Sequence, residues 1–215
     1  MSIKGSITTS NYIDFDKASA IANRLIKEGK DKSFGLYIIV AINTGLRIGD
    51  ILNLSSLELW SGSKTFREEK TKKAKTVVFN DAIKTALNKF ELTDEPIFKS
   101  QKDTVFSPQQ INRKIKKYFK QPTDKNYSSH SLRKSFGRRV YENNDQSEHA
   151  LMKLSELYNH SSLKITRGYF EMSKYWSSTE HSGGTGYAFN FATGESNIGY
   201  NGILNCRVRL VRSKP

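Results

Sequence analysis

Between Tyr127 and Tyr169 the chain lays down three helical patterns separated by short polar breaks, and no other stretch restricts the fold as much. His130 to Tyr141 puts Leu132, Phe136 and Val140 on one side, and Ser147 to Tyr158 does the same with Leu151, Leu154 and Leu157. A last helix, entered through Asn159-His160-Ser161-Ser162, carries Tyr169. Apolar side chains at three- and four-residue steps cover one stripe of a helix and have to be buried against other helices. The stretch also concentrates chemistry. His130 and Arg133 stand three residues apart, so they project from one face and can reach a single ligand group together, while Arg138 and Arg139 fall on the exposed side.

Helical patterning continues upstream. Phe15, Ala18, Ile21, Ala22 and Leu25 form an apolar stripe closed by Gly29, and Ser33 to Asn43 is rich enough in Leu, Tyr, Ile, Val and Ala to be buried on most sides. It ends at Thr44-Gly45, where glycine permits a left-handed turn. Arg47 opens a short third helix with Ile48, Ile51, Leu52 and Leu54 as its apolar side and Asp50 one turn on; a surface ion pair between Arg47 and Asp50 is the plain reading of that spacing. Leu57 to Trp60, Thr65 to Glu69 and Lys75 to Phe79 read as three short strands. The segment from Lys64 to Lys75 is a basic hairpin that includes Lys70, Lys72 and Lys73, either a solvated turn or a tip that delivers an ammonium to a reacting oxygen. Asp81 to Phe90 is an amphipathic helix. After a polar connection over 93–105, Ser107-Pro108 starts another. Its outer face carries Arg113, Lys114, Lys116, Lys117 and Lys120, and Ile111, Ile115 and Tyr118 or Phe119 turn inward; such a face suits the wall of a phosphate-lined channel.

Charge narrows the partner. With 35 Lys and Arg against 21 Asp and Glu among 215 residues, the net charge is +14, a surplus that favours a polyanion such as nucleic acid. A single cysteine, Cys206, excludes an internal disulfide and any multi-cysteine zinc site. No run approaches the roughly 20 apolar residues of a membrane span, and residues 1–12 lack a secretory core, so the expected location is the cytoplasm. Neither a Walker loop nor a Cys/His metal spacing occurs, and no cofactor, metal or nucleotide is expected. From Trp176 to Pro215 the composition shifts towards Gly, Ser, Asn and aromatics. This stretch holds two carboxylates (Glu180 and Glu195) and alternates as strands do at 187–191 and 207–211. The fold class expected is therefore mainly α with a small antiparallel sheet over residues 1–175, followed by a β-rich appendage over 176–215.

Taken in order, TGLRIGDIL around Arg47, the lysines of EEKTKKAKTVVF, HSLR at His130 and Arg133, YNHSS at His160 and TRGY ending at Tyr169 resemble the catalytic domain of the tyrosine recombinases, the phage integrase family. The resemblance spans roughly residues 10 to 172. The tail, 176–215, resembles instead the closing strands of C-type-lectin-like surface domains.

The family resemblance implies a reaction on double-stranded DNA. Tyr169 attacks a phosphodiester and forms a 3′-phosphotyrosyl link, and a 5′-hydroxyl later reverses the step. Arg47 and Arg133 clamp the non-bridging oxygens, because a guanidinium fork matches phosphate geometry. Lys70, with Lys72 or Lys73 as substitutes, protonates the leaving 5′-oxygen. His130 assists proton transfer, His160 hydrogen-bonds a phosphate oxygen, and Asp50 sits behind the site. Lys72, Lys73, Arg113, Lys114, Lys117, Arg138 and Arg139 are the candidate DNA contacts. The same resemblance implies assembly as a tetramer on DNA and a preceding DNA-clamping domain, for which this chain leaves barely ten residues. A DNA-binding remnant without strand exchange and a type IB topoisomerase are the competing expectations.

Overall fold

The structure, a computed structural model, describes residues 10–67 and 74–170 in full; beyond them it describes only the backbone of strands within 175–208. Residues 10–170 are mainly helical with a small two-stranded antiparallel sheet among those described. The chain divides into two units, Met1–Val140 and Tyr141–Pro215.

The first unit is built on two antiparallel helices, α1 (Phe15–Glu28) and α2 (Lys32–Thr44). Asp14 caps α1 by accepting from Lys17 N–H at 2.8 Å, satisfying one of the donors a helix start leaves open. In α2 every residue from Phe34 to Ile42 is buried, as its apolar composition requires. The helices meet at Gly35, where a Cβ would lie 2.8 Å from the Ala22 carbonyl oxygen and 2.8 Å from Ile26 Cγ1. Gly35→Ala is therefore expected to destabilise the protein. Overpacking against a backbone atom that cannot yield costs about 1–3 kcal/mol, which outweighs the roughly 1 kcal/mol that alanine gains over glycine in a helix. A net loss near 1 kcal/mol lowers the melting temperature by about 2–4 °C in a chain of this size, and an unchanged or raised melting temperature would refute the close contact.

Short elements follow: α3 (Ile48–Leu52), α4 (Ser56–Trp60), β1 (Ser63–Arg67), β2 (Ala74–Val78), α5 (Asp81–Leu87), α6 (Pro108–Phe119) and α7 (Ser129–Asn143). The β1–β2 hairpin runs in register from Ser63↔Val78 to Arg67↔Ala74; Glu68 and Glu69, which alternation alone assigns to the first strand, lie outside the described residues. Leu57 to Trp60 is helix, not strand. Ser55 accepts from Glu58 N–H at 3.1 Å while Glu58 Oε2 accepts from Ser55 N–H at 3.1 Å. This reciprocal capping box starts a helical turn whatever the alternation of the next residues suggests. The core joins Phe34, Tyr37, Leu46, Leu59, Phe79, Phe98, Ile111, Phe119 and Leu132.

In the second unit, α8 (Glu148–Tyr158) is capped by Ser147, which accepts from Ala150 N–H at 3.3 Å. Asn159 takes the left-handed conformation that ends it (φ 55°, ψ 46°). Ser162 then caps α9 (Leu163–Tyr169) by accepting from Ile165 N–H at 3.3 Å. An Arg167–Glu148 ion pair at 3.4 Å spans the two helices. The strands β3 (Tyr175–His181), β4 (Thr185–Asn190), β5 (Glu195–Ile198) and β6 (Arg207–Val208) are ordered β5-β4-β3-β6. Among the described residues no helix is long and apolar enough to cross a membrane.

Candidate functional site

In the first unit the candidate residues gather where α7 meets the end of α2. Gly45 closes α2 with φ 62°, a left-handed value that glycine adopts without strain. Its carbonyl oxygen accepts a hydrogen bond from Arg133 Nη1. Arg133 is 5% exposed, so this guanidinium is held inside the protein, and the turn it grips leads two residues later to Arg47, the exposed residue preceding α3. A side chain on α7 thus sets the turn that carries the other arginine.

The start of α7 is itself pinned by the extended segment before α1. Asn11 N–H donates to the Asn126 carbonyl at 2.9 Å, Asn126 N–H returns a bond to Asn11 Oδ1 at 2.9 Å, and the Ser10 and Ser128 hydroxyls meet at 2.6 Å. Ser135 donates to the Ile13 carbonyl. None of these is visible in the sequence, where Ser10 to Ile13 shows no pattern of its own.

His130 lies one turn before Arg133 and reaches solvent, yet enough protein surrounds its ring that burial lowers its pKa from 6.5, with repulsion from Arg133 and then Lys134 acting in the same direction. Lys134 is 2% exposed, and nothing in the sequence sets it apart from the other lysines. Because the folded pKa lies below the unfolded one, the unfolded chain binds the proton more readily: the contribution to stability is complete above pH 6.5 and is lost as pH falls through the folded value. An NMR titration should show the His130 midpoint below 6.5, moving up in Lys134→Met. A midpoint at or above the ordinary imidazole value would contradict this environment.

The candidate DNA-facing cations separate into kinds. Arg113 and Lys117 are exposed on α6. Lys114 does not stand with them: its ammonium pairs with Asp31 and lies over the rings of Phe34 and Phe106 at 5.7 and 5.1 Å. Tyr118 donates to the same carboxylate at 3.1 Å, and burial, followed by the Asp31 charge, raises its pKa. Lys114 therefore fastens α6 to the α1–α2 turn. Arg138 and Arg139, expected to be exposed, stack on Tyr12 and Phe15, 4.1 and 3.6 Å from the ring centres; Arg138 is half-buried, Arg139 exposed. Lys70, Lys72 and Lys73 lie outside the described residues, between the paired Arg67 and Ala74. Asp50 is half-buried within α3.

In the second unit, Tyr169 is the last residue of α9 and its hydroxyl oxygen is buried. The centre of the His160 ring stands 5.1 Å from the centre of the Tyr169 ring, edge to face, and the Tyr158 and Phe170 ring centres lie 5.6 and 5.1 Å from it. The polar break Asn159 to Ser162 turns the chain back so that two side chains nine positions apart share one aromatic cluster. Tyr158 and Thr166, both buried here, escape a reading of the sequence; Thr166 sits one turn after the capping Ser162, a spacing that could have marked it.

Comparison with known proteins gives these positions a context. Residues 11–175 match the sequence profile described as "Phage integrase family". No curated protein matches the chain in sequence. Among solved structures, XerA recombinase is similar over 80% of this chain and 63% of its own, with a TM-score of 0.58 and 20% identity. A lambda integrase dimer bound to a COC′ core site is similar over 84% of this chain and 66% of its own, with a TM-score of 0.56 and 20% identity. The catalytic domain of bacteriophage HP1 integrase is similar over 75% of this chain and 88% of its own, with a TM-score of 0.52 and 16% identity. The chain thus spans less than two thirds of the XerA and lambda integrase chains and most of the HP1 catalytic domain.

Proposed function

Since this chain belongs to the phage integrase family, we propose that it is a site-specific recombinase of a mobile element that cuts and rejoins duplex DNA through a 3′-phosphotyrosyl intermediate. Tyr169 Oη bonds to phosphorus as the bond to the 5′-oxygen breaks; Lys70 gives that oxygen its proton, or Lys72 or Lys73 in its place. Arg47 and Arg133 hold the non-bridging oxygens, where fixed donors stabilise charge that develops in the transition state. His130 assists proton transfer, His160 hydrogen-bonds a phosphate oxygen, and Asp50 supports the Arg47 turn. Arg113, Lys117, Lys72, Lys73, Arg138 and Arg139 contact the backbone of the duplex, and the protein works as a tetramer. The observation that supports this reading is the hydrogen bond from the buried Arg133 guanidinium to the carbonyl oxygen of Gly45, two residues before Arg47.

Residues 176–215 form, in this proposal, a separate β-rich appendage whose likeness to lectin-like closing strands is a likeness of strands alone. Removing them should leave DNA cleavage intact, and loss of cleavage with retained folding would reject the division.

The reaction is tested with a suicide duplex nicked beside the cleavage site, taken from the ends of the element that carries the gene. A covalent protein–DNA band resistant to detergent is expected. Binding without that band would identify a DNA-binding remnant, and relaxation of supercoils without site preference would identify a topoisomerase. Binding should also fall steeply with salt, because each phosphate neutralised releases a counterion; a flat response would assign the +14 charge to another purpose.

A further inference from the structure

The turn that delivers Arg47 is gripped from two sides, and the grip from α7 is only one of them. Thr44, the last residue of α2, is buried. Its hydroxyl donates to the Val40 carbonyl oxygen one turn back at 2.8 Å, a bond open to a helical threonine whose Oγ1 lies against the preceding turn. A hydroxyl has one proton, so its lone pairs are left to accept. They receive the backbone N–H of Leu46 at 3.3 Å, a group that can only donate, and the direction of this bond is therefore fixed. Gly45 N–H closes the helix on the Ala41 carbonyl at 3.1 Å, while the Gly45 carbonyl accepts from Arg133. The Arg47 carbonyl then accepts Ile51 N–H at 3.1 Å and starts α3.

We infer that Thr44 is a positioning residue for Arg47: through Leu46 N–H its hydroxyl sets the place from which the Arg47 guanidinium reaches a phosphate. The role depends on the proposed reaction for its chemical meaning, whereas the hydrogen bonds stand without it. Leu46 and its N–H bond to Thr44 are buried, and a buried donor deprived of its acceptor is costly enough for the backbone to rearrange around it. Arg47 follows Leu46 directly, so a rotation of the Leu46 peptide carries Arg47 with it. The charge sits at the end of a long stem, which enlarges a small error at the turn, and a displacement near 1 Å of a group aimed at the transition state costs about a hundredfold in rate.

Thr44→Val keeps the branched shape without the acceptor, and Thr44→Ser keeps the hydroxyl. Two measurements on the full chain read different links. Amide hydrogen exchange followed by NMR reads the turn alone: Leu46 N–H should be protected in the unaltered protein and in Thr44→Ser, and should exchange at least about tenfold faster in Thr44→Val. Single-turnover adduct formation with the suicide duplex at saturating DNA reads the chemistry. Thr44→Val should be about 10–100-fold slower with DNA affinity unchanged, and Thr44→Ser should restore the rate. Gly35→Ala, which disturbs α2 away from the turn, should lose melting temperature but not rate. In an Arg47→Ala background, Thr44→Val should cost less than about threefold more, because two changes that act through one group do not add. An unprotected Leu46 amide in the unaltered protein overturns this role without any variant. Full-rate adduct formation by Thr44→Val, or its whole loss added on top of Arg47→Ala, overturns it as well. A chain that shows the Leu46 protection and its loss in Thr44→Val, yet forms no adduct when unaltered, keeps the turn and rejects the proposed reaction.

Discussion

Tyr169→Phe is expected to bind duplex DNA as the unaltered protein does and to yield no covalent protein–DNA band at any incubation time. The substitution removes one oxygen, and without it no phosphotyrosyl bond can form. The phenyl ring that remains still packs against Tyr158, His160 and Phe170, at 5.6, 5.1 and 5.1 Å between ring centres. Loss of the hydroxyl alone changes stability by about 1 kcal/mol or less, worth about 2–4 °C in melting temperature. Binding measured by gel shift and cleavage measured by the detergent-resistant band should therefore separate cleanly. An adduct that persists in Tyr169→Phe would mean that another side chain is the nucleophile.

The second large effect is expected at the two arginines, which should fail in different ways. Arg133→Ala removes a buried guanidinium, 5% exposed, that donates to the Gly45 carbonyl oxygen. A hydrogen bond from a charged donor contributes about 1.5–3 kcal/mol, so the melting temperature should fall by about 4–8 °C for a loss near 2 kcal/mol. Cleavage should fall by about a hundredfold to a thousandfold or more, the usual cost of losing one donor aimed at transition-state charge. Arg47 is exposed, and Arg47→Ala should leave stability within about 0.5 kcal/mol while reducing cleavage to a similar extent. Melting curves together with single-turnover cleavage distinguish the two. If Arg133→Ala melts normally, the grip on the Arg47 turn is not what holds that turn.

These expectations also divide by where they could be read. The amphipathic stripes, the glycine stop at Gly45, the capping serines and the order of Arg47, His130, Arg133, His160 and Tyr169 are all set by neighbours within a few residues, and each is legible without coordinates. The error at Leu57 to Trp60 is local as well: Ser55 and Glu58 spell a capping box, and a reading by alternation passes over it.

Other features depend on residues far apart in the chain. Lys114 stands among basic residues on a helix that reads as a uniform cationic face, yet its partner Asp31 is 83 positions away. Gly45 and Arg133 are 88 positions apart, and Ile13 and Ser135 are 122 apart. Periodicity carries no information about which distant carbonyl or carboxylate a buried cation will find, because that choice is made by packing and by the cost of leaving a buried charge without a partner. The amino-acid order alone therefore determined the helices, their ends and the chemical types available for handling phosphate. Only the tertiary structure decided that Arg133 grips the Arg47 turn and that Lys114 is spent on Asp31, since desolvation acts on side chains once folding has brought them together.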